Sequence, residues 1–257
     1  MNEDAKLVFI TGASSGIGQA LALAYARAGW RLALVVRRRE PTLAWLEAQG
    51  LRSAAVYSAD VSVCDSIITA GQECLARQGL PDVVIACAGL SVGMDSAERG
   101  DLGVMRDLFA TNNLGLAATF HPFLRHMRQR GSGTLVGVAS VAAIRGLPGH
   151  GAYCASKAAV VAYCESLRGE CRGQGVQVVT LVPGYVATPL TARNAYRMPF
   201  LMQADDFAEQ ALRVIASGAS YRVIPWQMGV VAKLLRVLPN ALFDRLFARR
   251  ARKPRRS

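Results

Sequence analysis

Residues 6–25 read KLVFITGASSGIGQALALAY. A short apolar run from Lys6 to Ile10 meets a glycine-rich turn, after which Ile17, Ala20, Leu21, Ala24 and Tyr25 recur at helical spacing. The unit reads strand, turn, helix. Gly12, Gly16 and Gly18 lie in the turn, where glycines let a backbone bend sharply and come close to a phosphate. The helix amino terminus adds unpaired N–H groups and a favourable dipole for an anion. The spacing is GxxxGxG, not the GxGxxG of other dinucleotide-binding folds. Taken alone, it reads equally as a phosphate cradle or as a simple glycine-rich turn.

The same alternation continues outward. Arg31–Val36 reads as a second buried strand, followed by a helix over Pro41–Gln49 and a third strand near Ala54–Tyr57. Val83–Ala86, Thr134–Val138, Val176–Val182 and Tyr221–Ile224 are further strands, with long helical stretches between most of them. Strands that are apolar throughout belong to a parallel sheet covered on both faces. The expected fold class is therefore α/β: a single doubly wound, Rossmann-type domain with a parallel sheet of about seven strands and helices on both faces. With 257 residues, 52% of them hydrophobic, the chain can bury one substantial core. No repeat or low-complexity linker interrupts residues 1–225, which form the expected catalytic domain, and residues 226–257 read as an amphipathic, basic extension.

Several classes are excluded by what surrounds this core. The acidic start, MNEDAK, runs straight into LVFI without the pattern of a secretory leader, and no window holds about 18 uninterrupted apolar residues. A cytoplasmic chain is expected. The six cysteines (Cys64, Cys74, Cys87, Cys154, Cys164 and Cys171) form no CxxC pairs and have no His partners at ligand spacing, so they read as reduced thiols and no metal site is expected. The net charge of +12 is concentrated at one end. Lys233, Arg236, Arg245, Arg249, Arg250, Arg252, Lys253, Arg255 and Arg256 face a single acid, Asp244, which leaves only about +4 for the rest of the chain.

Cofactor preference is readable at the end of the second strand, VVRRRE. In NAD-binding folds an acid at this point accepts from the ribose 2′-hydroxyl and repels a 2′-phosphate. Val36 stands there instead, and Arg37, Arg38 and Arg39 follow, offering charge-assisted hydrogen bonds to a 2′-phosphate. NADP(H) is favoured over NAD(H), with a solvated basic turn as the alternative. Asp60 and Val61 follow the third strand, where Asp60 either accepts from an adenine amino group or caps its own loop.

Tyr153 and Lys157 lie four apart in the helical stretch AYCASKAAVVAYCESL and so share a face. A phenol is a poor base at neutral pH, and a neighbouring ammonium stabilises its phenolate. Ser140, just beyond the strand Thr134–Val138, stands where a hydroxyl can polarise a carbonyl. On pattern alone, a Tyr and a Lys on one helix face are usually an ordinary surface pair.

Together these residues resemble the short-chain dehydrogenase/reductase family over roughly residues 6–225. TGASSGIG is similar to that family's TGxxxGxG loop, Asp60 to its adenine-contacting aspartate, and Ser140, Tyr153 and Lys157 to its Ser and YxxxK. PGYVAT (residues 183–188) resembles its PGxxxT segment, and Asn112 in NNLG falls at its catalytic asparagine, with Asn113 the weaker candidate. The resemblance implies hydride transfer between NADP(H) and a carbonyl or alcohol. Tyr153 acts as the acid or base, Lys157 binds the nicotinamide ribose, Ser140 orients the carbonyl and Asn112 supports a proton-relaying water. It also implies cofactor contacts from Gly12, Ser14, Ser15, Gly16, Ile17, Gly18, Arg37, Arg38, Asp60, Val61, Ala88, Gly89, Tyr153, Lys157, Pro183, Gly184, Val186 and Thr188, and assembly as a homodimer or homotetramer. One departure is Cys87–Ala88–Gly89 where the family commonly has Asn-Ala-Gly. It puts hydrogen bonding beside the cofactor in doubt, and Cys87 reads as a buried small hydrophobe.

Residues 189–203, with Leu190, Tyr196, Met198, Pro199, Phe200, Leu201 and Met202, make an apolar loop that suits a hydrophobic substrate or a neighbouring subunit. Val230, Val231, Leu234, Leu235 and Leu238 form one helical stripe, and Leu242, Phe243, Leu246 and Phe247 a second that runs into RRARKPRR. An apolar face beside clustered arginine reads either as an anchor on an anionic membrane surface, at the inner membrane face, or as an oligomer-packing helix with a disordered basic end. Nucleic acid is disfavoured because aromatic residues are not interleaved with the charge. The alternative to an enzyme is a non-catalytic NADP(H) sensor or membrane-surface protein that keeps the fold. Such a protein has no use for the proton donor Tyr153.

Overall fold

Leu7–Thr11, with none of its five residues exposed, forms β1 inside the sheet in the computed structural model, which describes residues 5–51, 54–192, 194, 196–248 and 253–255. The other strands are β2 (Arg31–Val36), β3 (Ala55–Ser58), β4 (Val83–Ala86), β5 (Gly133–Val138), β6 (Val176–Pro183) and β7 (Tyr221–Ile224). They form a seven-stranded sheet in the order β3-β2-β1-β4-β5-β6-β7, and every pairing is parallel. The doubly wound α/β reading therefore holds, with strand ends within a residue or so of their expected places.

Period-two alternation divides β1 between two cores. Leu7 and Phe9 join Ile67, Phe120, Phe123, Val160 and Leu167, from α3 (Cys64–Gln78), α5 (Gly115–Arg130) and α6 (Gly151–Glu170). Val8 and Ile10 face the other way, onto Leu21, Leu46, Phe207 and Ala211 of α1 (Gly16–Arg27), α2 (Arg39–Ala48) and α7 (Ala204–Ala216). Apolar residues on both faces explain why these strands read as unbroken hydrophobic runs. A smaller cluster, Met94, Val104, Leu108 and Ala152 with Leu90, Val92 and Tyr153 against it, joins α4 (Asp101–Phe109) to the start of α6. Between α4 and α5, Ala110–Leu114 widens into a π-helical turn, a form that recurs at functional sites.

Beyond β7, α8 (Trp226–Val237) buries Met228, Gly229 and Ala232, and α9 (Asn240–Phe247) buries Phe243 and Phe247. Much of the first stripe read from sequence faces away from the sheet. Val230 and Leu234 are exposed, along with Trp226, Val237, Leu242 and Leu246. The reason is local: the small residues Gly229 and Ala232 let α8 lie close on the sheet, with Val223 packed against Gly229, so the larger side chains turn outward. The basic end, expected to be disordered if α8 packs an oligomer, is in part docked, because residues 253–255 lie against the loop after β4. Arg249, Arg250, Arg252 and Arg256 lie outside the described residues. Among the described residues no helix is long and apolar enough to cross a membrane.

Candidate active site

A cleft of about 1010 Å³ opens where the carboxyl ends of the strands meet. Its walls come from the segments that follow β1 to β6, the ordinary ligand position in such sheets. The glycine turn leaves β1 with Gly12 at φ 70° and Gly16 at φ 55°, conformations that favour glycine. Close approach restricts the loop further: a Cβ on Gly18 would stand 2.2 Å from the Gly12 oxygen, and one on Gly12 2.7 Å from the Ala88 Cα. Ser14, Ser15, Ile17 and Gly18 line the cleft, and Ser15 makes no side-chain cap on α1, leaving the first-turn amides to a ligand. The loop has the form of a phosphate cradle.

Thr11 ties this loop to the strand beside it. Its hydroxyl accepts from the Cys87 and Ala88 amides at 3.1 and 3.3 Å. Arg37 lines the cleft, and its charge helps hold the Asp60 carboxyl below the usual range. The larger cause is the Ser62 hydroxyl, 2.7 Å from Asp60 Oδ1, while the Ser62 amide donates to the same oxygen at 2.9 Å. Asp60 therefore caps its own loop while also lining the cleft beside Val61. Arg38 precedes α2, exposed and outside the lining.

On the opposite wall Ser140, Tyr153 and Lys157 come together. Ser140 ends the β5 segment and accepts from the Ala142 amide at 3.2 Å. Burial raises the Tyr153 phenol above its ordinary value, and its hydrogen bond to Ser140 offsets part of that rise. Lys157 is buried, donates to the Val138 carbonyl at 2.8 Å, and is pushed down to about 8 by loss of hydration. Gly89 lies behind them, where a Cβ would sit in ordinary contact with Asn112 Oδ1 at 3.4 Å and Lys157 Nζ at 3.5 Å.

Asn112 itself lies beneath the lining. From the π turn its Oδ1 accepts from the Leu90 amide at 2.8 Å, and its Nδ2 donates to the Leu90 carbonyl at 3.0 Å and to Ser156 Oγ at 2.9 Å. Asn113 donates to the Ser156 carbonyl. At the far end Pro183, Gly184, Val186 and Thr188 enter the lining, and Thr188 packs on Gly16 of the glycine loop. Gly184 in turn rests on Met228 of α8, so that helix supports the segment.

The profile of the family described as short chain dehydrogenase matches residues 6–198. The chain belongs to that family. An uncharacterized oxidoreductase of Myxococcus xanthus is 41% identical to it over 242 residues, 93% of this chain and 95% of that protein. A sulfoacetaldehyde reductase of Chromohalobacter salexigens is 36% identical over 218 residues, 79% of this chain and 85% of that protein. The alcohol dehydrogenase of the archaeon Thermococcus sibiricus, solved with 5-hydroxy-NADP, shares the fold at a TM-score of 0.75 and 28% identity, over 86% of this chain and 96% of that one.

This short chain dehydrogenase is thus an oxidoreductase by family, with its motif residues gathered at one cleft. The Cys87 thiol that replaces the family's asparagine is pushed up to about 12 by burial, and its backbone amide is held by Thr11. Sequence reasoning missed Thr11, Ser156 and the residues after 252 that reach the cleft: Lys253, Pro254 and Arg255. Thr11 stood inside the quoted loop motif. The tail residues carried no signal, because nothing in a run of like charges marks one lysine as buried.

Proposed function

We propose that the protein is an NADP(H)-dependent oxidoreductase that interconverts a carbonyl compound and its alcohol, the substrate having a largely apolar body. The juxtaposition of Ser140, Tyr153 and Lys157 across the cleft from the glycine loop carries this reading. The glycine positions leave no room for a Cβ, which fits a pyrophosphate, and Arg37 offers its charge beside Asp60 for a 2′-phosphate. When bound, the nicotinamide supplies or accepts the hydride.

The chain's own residues handle the proton. Ser140 donates a hydrogen bond to the substrate oxygen, and Tyr153 gives that oxygen its proton in reduction and takes it back in oxidation. The raised Tyr153 value keeps the phenol protonated at neutral pH, as reduction requires. Lys157, in the same wall of the cleft, is placed to offset negative charge as it develops on the phenol oxygen, although burial and not Lys157 sets the resting Tyr153 value. Asn112 positions the Leu90 segment that walls the substrate side. The names of the sulfoacetaldehyde reductase and the alcohol dehydrogenase agree with carbonyl and alcohol chemistry. Titration of NADPH and NADH onto the wild type and Arg37→Ala tests the reading. It expects NADPH affinity to fall about tenfold or more in the variant with NADH little changed, and binding of neither nucleotide by the wild type would overturn it.

A second surface accompanies the enzyme. Trp226, Val230, Leu234, Val237, Leu242 and Leu246 are exposed beside Lys233, Arg236 and Arg245. Self-pairing through this face would bring like charges together, so it suits an anionic membrane surface better. Flotation with anionic vesicles, lost in Leu234→Glu, is expected, and equal flotation of both proteins would sink the idea. Exposed Leu102, Met105 and Leu114 leave a separate apolar area for a homodimer or homotetramer, to be measured by light scattering.

A further inference from the structure

The last described residues close the substrate side of the cleft. The Pro254 carbonyl accepts from the Gly93 amide at 3.0 Å, and Gly93 pairs with Arg255 as an isolated parallel bridge. Gly93 permits this contact by having no side chain, since a Cβ would stand 2.1 Å from the Lys253 oxygen. Arg255 fastens the segment through its Nε, 2.8 Å from Asp101 Oδ2, an oxygen that also accepts from the Asp95 amide at 2.7 Å. Backbone and ion pair together fix where Lys253 points.

Lys253 is 8% exposed, and its ammonium donates to Ser91 Oγ at 2.8 Å. Among the described residues no carboxylate lies within ion-pairing range of it. Burial accordingly pushes it down to about 8, and its charge contributes to the lowering of His150 at the head of α6. Around it, Leu90, Val92 and Tyr153 present apolar surface in the same cleft. A buried cation satisfied by one neutral hydroxyl is costly unless something anionic joins it.

We propose that Lys253 is the anion-recognition residue of this site, so that the substrate carries a carboxylate or comparable anionic group remote from the carbonyl that Tyr153 serves. The proposal rests on the carbonyl reading above and adds the substrate's charge. The ammonium has two further donors to give after Ser91, and the apolar wall accepts the body between the two ends.

The test compares NADPH-dependent reduction of 4-formylbenzoate with that of its uncharged methyl ester, in the wild type, Lys253→Met and Lys253→Arg. The wild type is expected to prefer the carboxylate by about tenfold or more in kcat/KM. Lys253→Met is expected to abolish that preference and Lys253→Arg to keep most of it. 4-Formylbenzenesulfonate, run in parallel, separates a carboxylate-specific site from one that takes any anion. Equal use of acid and ester by the wild type, or an undiminished preference in Lys253→Met, would overturn the proposal while leaving the reductase reading intact. A parallel loss of NADPH affinity in Lys253→Met would assign the charge to the cofactor and also overturn it. If neither aldehyde is reduced, calorimetric titration of 4-formylbenzoate decides. Binding lost in Lys253→Met upholds the anion site, binding that is absent or indifferent to the variant overturns it, and the reductase reading is decided separately by the nucleotide titration.

Discussion

Lys157 lies buried with its ammonium on the Val138 carbonyl, and its pKa falls from 10.5 to about 8 because water is excluded. Between these values the unfolded chain holds the extra proton, so stability rises with pH across that window and the full penalty is felt below about pH 8. Lys157→Met removes the penalty, about 3 kcal/mol at most, but leaves Val138 without its partner. A net gain on the order of 1–2 kcal/mol is expected at pH 7, shrinking towards pH 10 in urea titrations, together with loss of turnover. Tyr153 titrates with the opposite meaning. Its pKa is raised by burial, so reduction is expected to hold level through neutral pH and decline in alkali, while alcohol oxidation, which needs the phenolate, climbs with pH. Tyr153→Phe is expected to flatten both profiles at a rate lower by a factor on the order of 10² or more.

Arg145 does at the level of elements what Lys157 does within the cleft. Its guanidinium donates to the Leu235 carbonyl, to the Leu238 carbonyl at 2.6 Å and to Asn240 Oδ1 at 2.9 Å, and it stacks 3.9 Å from the centre of the Phe243 ring. It therefore satisfies the open carbonyl end of α8 and fastens α9 in one stroke. Arg145→Ala is expected to cost on the order of 2 kcal/mol of unfolding free energy, read as a lower denaturant midpoint at an unchanged slope. Because α8 supports Gly184 through Met228, the loss should also weaken nucleotide binding, which the NADPH titration would register. The π turn acts on a shorter range: one extra residue in the helical path lets Asn112 face Leu90 and Ser156 at once.

Across the whole molecule, what could be read from sequence was what depends on local pattern. Unbroken apolar runs such as Val83–Ala86 announce a doubly covered sheet, and the glycine loop, Ser140 and the Tyr153–Lys157 pair belong to motifs whose spacing is fixed by a turn or a helix. Positions set by distant contacts were not legible. The face that α8 buries depends on how closely Gly229 approaches Val223, and the place of Lys253 depends on Gly93, far away in the chain. Arg38 and Arg37 are neighbours that only the departure of the backbone from β2 tells apart. The strand order has a kinetic consequence as well. β1 pairs with β2 locally, but the two halves of the sheet join only when Val8–Ile10 meets Val83–Ile85, after α1, α2 and α3 have all been threaded past. Closing so long a loop exacts its entropy before any pairing returns it, so this seam should govern the speed of refolding. Ile85→Val is then expected to slow refolding in stopped-flow experiments, whereas Phe243→Leu, at the periphery, should chiefly hasten unfolding. The strand that carries the glycine loop in the finished enzyme is also where an unfinished one waits longest.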